Sequence, residues 1–133
     1  MIAIFCVGDG GSFLFNRRRV SSDKAVIQWI LDTCGEAPVC VSAYSAKLFP
    51  TGANILVCDD PFEASENVCF IEALPDGDWM RKTERVILFH WNRTYPADIV
   101  FPIDELRKRG TLVSSEEFSG NSHERITREV FVL

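Results

Sequence analysis

Residues 97–131, ADIVFPIDELRKRGTLVSSEEFSGNSHERITREVF, decide how this chain folds. Leu112 to Ser115 reads as a strand. Ile126 to Leu133 reads as another, alternating weakly through Ile126, Arg128, Val130 and Val132 as a strand with one covered face does. Between them runs a very polar stretch with a corner at Gly120 to His123. Just upstream, Arg85 to Trp91 (RVILFHW) is a strong strand candidate.

Working outward, Ile2 to Val7 reads as a fully buried strand, and Gly8 to Ser12 as the turn or mobile loop that leaves it. The next segment predicts a helix with Ser21 or Ser22 as its cap, Asp23 at the positive end of its dipole and Gly35 as its stop. Val26, Ile27, Trp29, Ile30 and Leu31 supply its apolar face. Residues 38–42 and 54–58 are short, apolar and bounded by turn residues, which suits interior strands of a covered sheet, with a brief helix over 43–49 between them. Val68 to Ile71 is a further strand, followed by a helical turn around Trp79. Strand and helix alternate first and strands pair as a hairpin last, so the expected fold is α/β, a single domain over 1–133 with a mixed β-sheet and flanking helices.

Composition sets the outer bounds. The chain has 133 residues, 47% hydrophobic, enough for one compact core, with a formal charge of -5. That balance favours neither nucleic acid nor an anionic membrane as partner. Residues 1–7 lack a basic leader and are too short for a signal-peptide core, and no run is long enough to span a bilayer, so the expected location is cytoplasmic. The five cysteines form no C-x-x-C pair and read as small buried hydrophobes. His90 and His123 have no zinc-ligand spacing, which leaves no metal site to expect. Gly8 to Gly11 is not followed by a Walker lysine, and neither Cys6 nor Ser12 has a base nearby in sequence.

The C-terminal stretch, with Asp98, Phe101-Pro102, the acidic Ser114 to Glu117, the corner at Asn121 to His123 and the strand ending in Phe131, resembles the end of dihydrofolate reductases. Fainter likeness extends through Ile2 to Val7, the following 8–19 segment as the family's flexible active-site loop, and Asp23 at the start of the first long helix. The resemblance implies that the polar run is the exposed connection between the last two strands, with His123 at the surface. It implies that Asp23 stands where the family keeps the acidic residue that anchors a pterin ring. Around it the implied ligand-binding residues are Val7, Phe15, Asn16, Ile27, Ser45, and Phe89 or His90, whichever faces the cleft.

Departures from the family pattern bear on cofactor use. Where an arginine would meet the adenosine phosphate, the chain has Ser42 and Ala43; Ser45 can supply a hydroxyl but no guanidinium. After Asp60-Pro61 a strand and a helix of the adenosine side are skipped, so that portion of the fold is expected to be reduced. Glu72-Ala73 stands in place of paired glycines, and a carboxylate there repels pyrophosphate. Ordinary NADPH-dependent reduction is therefore not expected, and the cofactor is left open. Asp23 retains two readings: a carboxylate accepting paired hydrogen bonds from an amidine-like heterocycle, or a helix-start residue satisfied by its own backbone. The expected function is binding of a small planar, pterin-like ligand beside Asp23, with or without chemistry. The competing class is a non-enzymatic protein-interaction or regulatory module using the groove or Trp91 to Tyr95.

Overall fold

The computed structural model describes residues 1–64 and 67–133. Its strands are β1 (Ile2–Val7), β2 (Ser12–Phe15), β3 (Arg18–Arg19), β4 (Val39–Val41), β5 (Ile55–Val57), β6 (Val68–Phe70), β7 (Arg85–His90), β8 (Ile99–Val100), β9 (Thr111–Phe118) and β10 (Ile126–Val132). Its α-helices are α1 (Lys24–Cys34), α2 (Ala43–Ala46), α3 (Pro61–Ala64) and α4 (Ile103–Arg109). The main sheet has the order β5-β4-β6-β1-β7-β10-β9. β5, β4, β6, β1 and β7 pair in parallel, while β10 is antiparallel to both β7 and β9. This is the expected mixed α/β sheet with flanking helices.

Alternation along the strands divides the core between the two faces of the sheet. Ile4, Val39, Val41, Phe70, Ile87 and Phe89 point toward α1 and meet its Val26, Ile27 and Ile30. Ala3, Phe5, Val7, Val86, Leu88 and Phe131 point the other way, against Phe101 and Leu106 around α4 and against Trp79. Phe5 sits at the centre of the second cluster, with ring centroids 4.8 Å from Phe101 and 5.1 Å from Trp79. Each such buried aromatic contributes on the order of 1.5–3 kcal/mol through burial.

Two local expectations are corrected. The α1 cap is Asp23 itself, whose carboxylate accepts from Ala25 N–H at 2.8 Å, while Gly35, with φ +56°, ends the helix as expected. The 8–19 segment is not an open loop: β2 and β3 form a hairpin around Asn16 and Arg17, both at positive φ, and β2 pairs with β8 in a second, three-stranded sheet. Positive φ at both central residues is what a type I′ hairpin turn requires, and Asn tolerates it well. The basic run at Arg107 to Arg109 is the last turn of α4, where cations complement the dipole, and Arg107 also bonds the carboxylate of Glu129 at 3.0 Å. Among the described residues the far edge of the sheet is β5, which pairs with β4 and leaves Leu56 and Val57 about half exposed.

Candidate functional site

Three neighbouring regions surround the ends of β1, β4 and β6. The first is the corner where residues 120–123 fold against the start of α1. His123 is buried there, only 3% exposed, and not at the surface as expected. Asp23 reaches it across the fold. One carboxylate oxygen accepts from the N–H groups of Ala25 and Asn121, each at 2.8 Å. The other accepts from Ser122 N–H at 2.8 Å, His123 N–H at 3.1 Å, His123 Nδ1 at 2.9 Å and Ser122 Oγ at 3.2 Å. Six donors meet an acceptor with about four lone-pair directions, so no capacity remains for a ligand. Burial pushes the carboxyl up, but the hydrogen bonds from Asn121, His123, Ala25 and Ser122 outweigh it and hold Asp23 well below the usual carboxylate range.

Gly120 makes this approach possible. A Cβ there would lie 2.6 Å from the His123 carbonyl oxygen and 2.7 Å from Asp23 Oδ2, closer than any side chain tolerates. The imidazole of His123 is stacked on Trp91, with centroids 4.6 Å apart, and its Nε2 lies 3.0 Å from both Ser21 Oγ and Tyr95 OH.

The second region is a partition. Arg19 grips Glu72 with two bonds, Nε to Oε2 at 2.6 Å and a terminal nitrogen to Oε1 at 2.9 Å, and its guanidinium lies 4.0 Å above the Tyr44 ring. Ser45, fully buried, donates to the same carboxylate at 2.7 Å. Behind the partition are two cavities of about 10 Å³ each, lined by Cys6, Ser21, Glu72 and Trp91. That is the volume of roughly one water. Burial, and then the charge of Glu72, push the Cys6 thiol up and keep it neutral.

The third region lies outside the partition: an open groove of about 750 Å³ between the small sheet, the α2 turn and the 71–76 loop. Leu14, Phe62, Ile71 and Leu74 give it an apolar floor. Among the described residues its ionisable lining is Asp59, Asp60, Glu72, Asp76 and Asp98 against the single cation Arg17, besides Tyr44. Among the described residues no three His, Cys, Asp or Glu side chains are grouped to share a metal ion, and no helix is long and apolar enough to cross a membrane.

The residues expected from sequence fall in different places. Asp23 and Ile27 line one of the small cavities. Phe15 and Asn16 line an open surface basin with Arg18 and Tyr95. Ser45 lies under the partition. Val7 is fully buried on the opposite face of the sheet from Ile27. Phe89 is also fully buried, in a T-shaped contact with Trp29 at 5.3 Å, and His90 points to the other face, where its Nε2 is bonded to Glu129. Neither member of that pair lines the groove or the small cavities described above. The contacts that sequence reading missed, Ser21 and Tyr95 on His123 and Arg19 on Glu72, span 102, 28 and 53 positions, so no local pattern carries them.

The fold has a solved counterpart. A dihydrofolate reductase from Enterococcus faecalis, complexed with NADP(H) and RAB-propyl, matches with a TM-score of 0.64 over 98% of this chain and 94% of that one, at 10% identity. The likeness is one of fold. No family model matches the sequence, and no curated protein does.

Proposed function

We propose that this chain, on a fold shared with dihydrofolate reductases, is a small-molecule-binding domain whose ligand lies in the open groove outside Glu72. The observation that carries the reading is the groove's lining: an apolar floor ringed by carboxylates. A flat apolar body bearing protonated or strongly donating nitrogens satisfies both parts, because ring burial supplies affinity and charge selects orientation. A pair of opposite charges 4 Å apart gains about 1 kcal/mol in water and up to about 4 kcal/mol where the surface screens less. A pterin-like heterocycle belongs to this class. We place it here instead of beside Asp23, whose lone pairs are already taken and whose adjoining cavity holds about 10 Å³.

The same lining argues against ordinary use of NADPH. Phosphates would meet five carboxylates and one arginine. The short α2 already bonds its first turn to Ser42, whose Oγ accepts from Ser45 N–H at 3.1 Å. The reading therefore assigns ligand recognition without ordinary nicotinamide-dependent reduction.

Thermal unfolding tests it with three probes: 2,4-diaminopyrimidine, dihydrofolate and NADPH, each at low and high salt. A ligand present at a hundred times its Kd stabilises by about 2.7 kcal/mol, easily read as a rise in midpoint. The expected result is a concentration-dependent rise with the cationic diaminopyrimidine, diminished by salt, and none with NADPH. A rise with NADPH alone, or none with any probe at millimolar concentration, would remove the reading, and the second result would turn attention to a protein-interaction role.

A further inference from the structure

Ser21, His123 and Asp23 form a hydrogen-bonded series: Asp23 Oδ2 lies 2.9 Å from His123 Nδ1, and His123 Nε2 lies 3.0 Å from Ser21 Oγ. A carboxylate on Nδ1 holds the proton there, orients the ring and leaves the Nε2 lone pair to two hydroxyls at 3.0 Å, Ser21 Oγ and Tyr95 OH, the first in the relation that activates a serine. The ring is further fixed by its own backbone N–H on Asp23 at 3.1 Å and by the Trp91 stack. Asp23 and His123 are buried, while Ser21 is partly exposed. A base locked from beneath with a reachable hydroxyl above it is the disposition nucleophilic catalysis requires.

An independent observation points to a ligand at the same place. Trp91 is 2% exposed, yet its indole N–H has no hydrogen-bond partner among the described residues. A buried donor left unpaired costs about 1–3 kcal/mol, and Trp91 lines both small cavities together with Ser21. An acceptor oxygen entering there would pair it. The Cys6 thiol in the same cavities is kept neutral by its burial and by the charge of Glu72, and is not the nucleophile.

We infer that Ser21 is a nucleophile toward small acyl esters, with His123 as its general base, Asp23 and Tyr95 as positioning residues and the Trp91 N–H as the donor to the carbonyl oxygen. The small cavities, each about the volume of one water, have room for the carbonyl oxygen alone, so the rest of the ester lies outside them, which limits the acyl group to a small one such as acetyl. The leaving group would occupy the adjoining basin beside Phe15, Arg18 and Tyr95, which suits an aromatic alcohol. In the first step Ser21 Oγ bonds to the carbonyl carbon, its proton passes to His123 Nε2, and the carbonyl π pair moves to oxygen, facing Trp91. Collapse restores the C=O bond and breaks the ester C–O bond, and the departing oxygen takes the proton from His123. Water then adds to acyl-Ser21, giving its proton to His123. Collapse returns that proton to Ser21 Oγ and releases the carboxylic acid.

The test uses the full chain with p-nitrophenyl acetate and, separately, a fluorophosphonate probe. Nitrophenolate release is followed by absorbance and the adduct is located by peptide mass spectrometry. The expected result is one adduct, on Ser21, and nitrophenolate release that falls roughly a hundredfold in Ser21→Ala. Ser22→Ala should retain both adduct and release. Circular dichroism and the melting midpoint of Ser21→Ala establish that it is folded, since its hydroxyl is partly exposed and the Asp23 contacts do not depend on it. Tyr95→Phe should change the rate of release while leaving the adduct on Ser21, which a purely structural corner would not do. A folded wild-type chain that takes no label on Ser21, or a Ser21→Ala chain that releases nitrophenolate at the wild-type rate, would overturn the inference.

Discussion

The Asp23 corner and the outer groove both present carboxylates at the ends of the same parallel strands, yet they are opposites in availability. In the corner one carboxylate receives six donors and is shut away from water. In the groove Glu72 is held by Arg19 and Ser45, but among the described residues Asp59, Asp60, Asp76 and Asp98 line a volume of about 750 Å³ beside the single cation Arg17. A carboxylate's place in the chain does not say whether it serves the fold or a ligand; the number of its lone pairs still unused does.

The contrast breaks most visibly at the corner. Asp23→Asn keeps the size of the side chain but points an NH₂ group at N–H donors and removes the charge, and should cost about 3 kcal/mol, read by urea unfolding. The sign of its pH dependence follows from the lowered carboxyl. Asp23 contributes stability that is fully present above its unfolded value of about 4 and is lost as pH falls through the lower folded value. The wild-type chain should therefore lose stability steeply below about pH 4, and the variant should show a flatter slope there.

The partition should yield less. Arg19 is 21% and Glu72 9% exposed at the side chain, so Glu72→Gln should cost about 1–2 kcal/mol after allowance for solvent screening. It should also speed alkylation of Cys6, because the neighbouring negative charge that raises the thiol is gone. An unchanged alkylation rate would mean that burial alone, and not the charge of Glu72, sets the reactivity of Cys6. The smallest effect on stability is expected in the groove. Asp98→Asn should alter stability by no more than about 0.5 kcal/mol while weakening the diaminopyrimidine-induced rise in midpoint. Equal rises with and without the substitution would detach binding from the groove's charge.

Much of the scaffold was legible because period-two alternation and a helix stop are local signals. Ile2 to Val7, Arg85 to His90 and the helix ending at Gly35 are recognisable from composition within a few residues. The small sheet was not, because its turn uses Asn16 and Arg17 inside a run that reads simply as basic. His123 was misread for a different reason. A polar run is exposed or buried according to what it meets, and this one meets a carboxylate 100 positions away. The expected pocket residues scattered because a family position fixes where a Cα lies in the fold, while neighbouring side chains decide whether a cleft stays open. Here Trp91 and His123, along with the Arg19 bond to Glu72, occupy the space beside Asp23.

The clasp between Asp23 and residues 121–123 also orders events in time. A ribosome must deliver about 100 further residues after Asp23 before the backbone donors of that corner exist, and at about 5–20 residues per second this takes several seconds. Until then the start of α1 has only its own N–H to hold, and the buried base of the Ser21 series has no ring in place. Any reactivity at Ser21 would thus report completion of the fold, making a labelled serine a clock for the last hairpin's arrival.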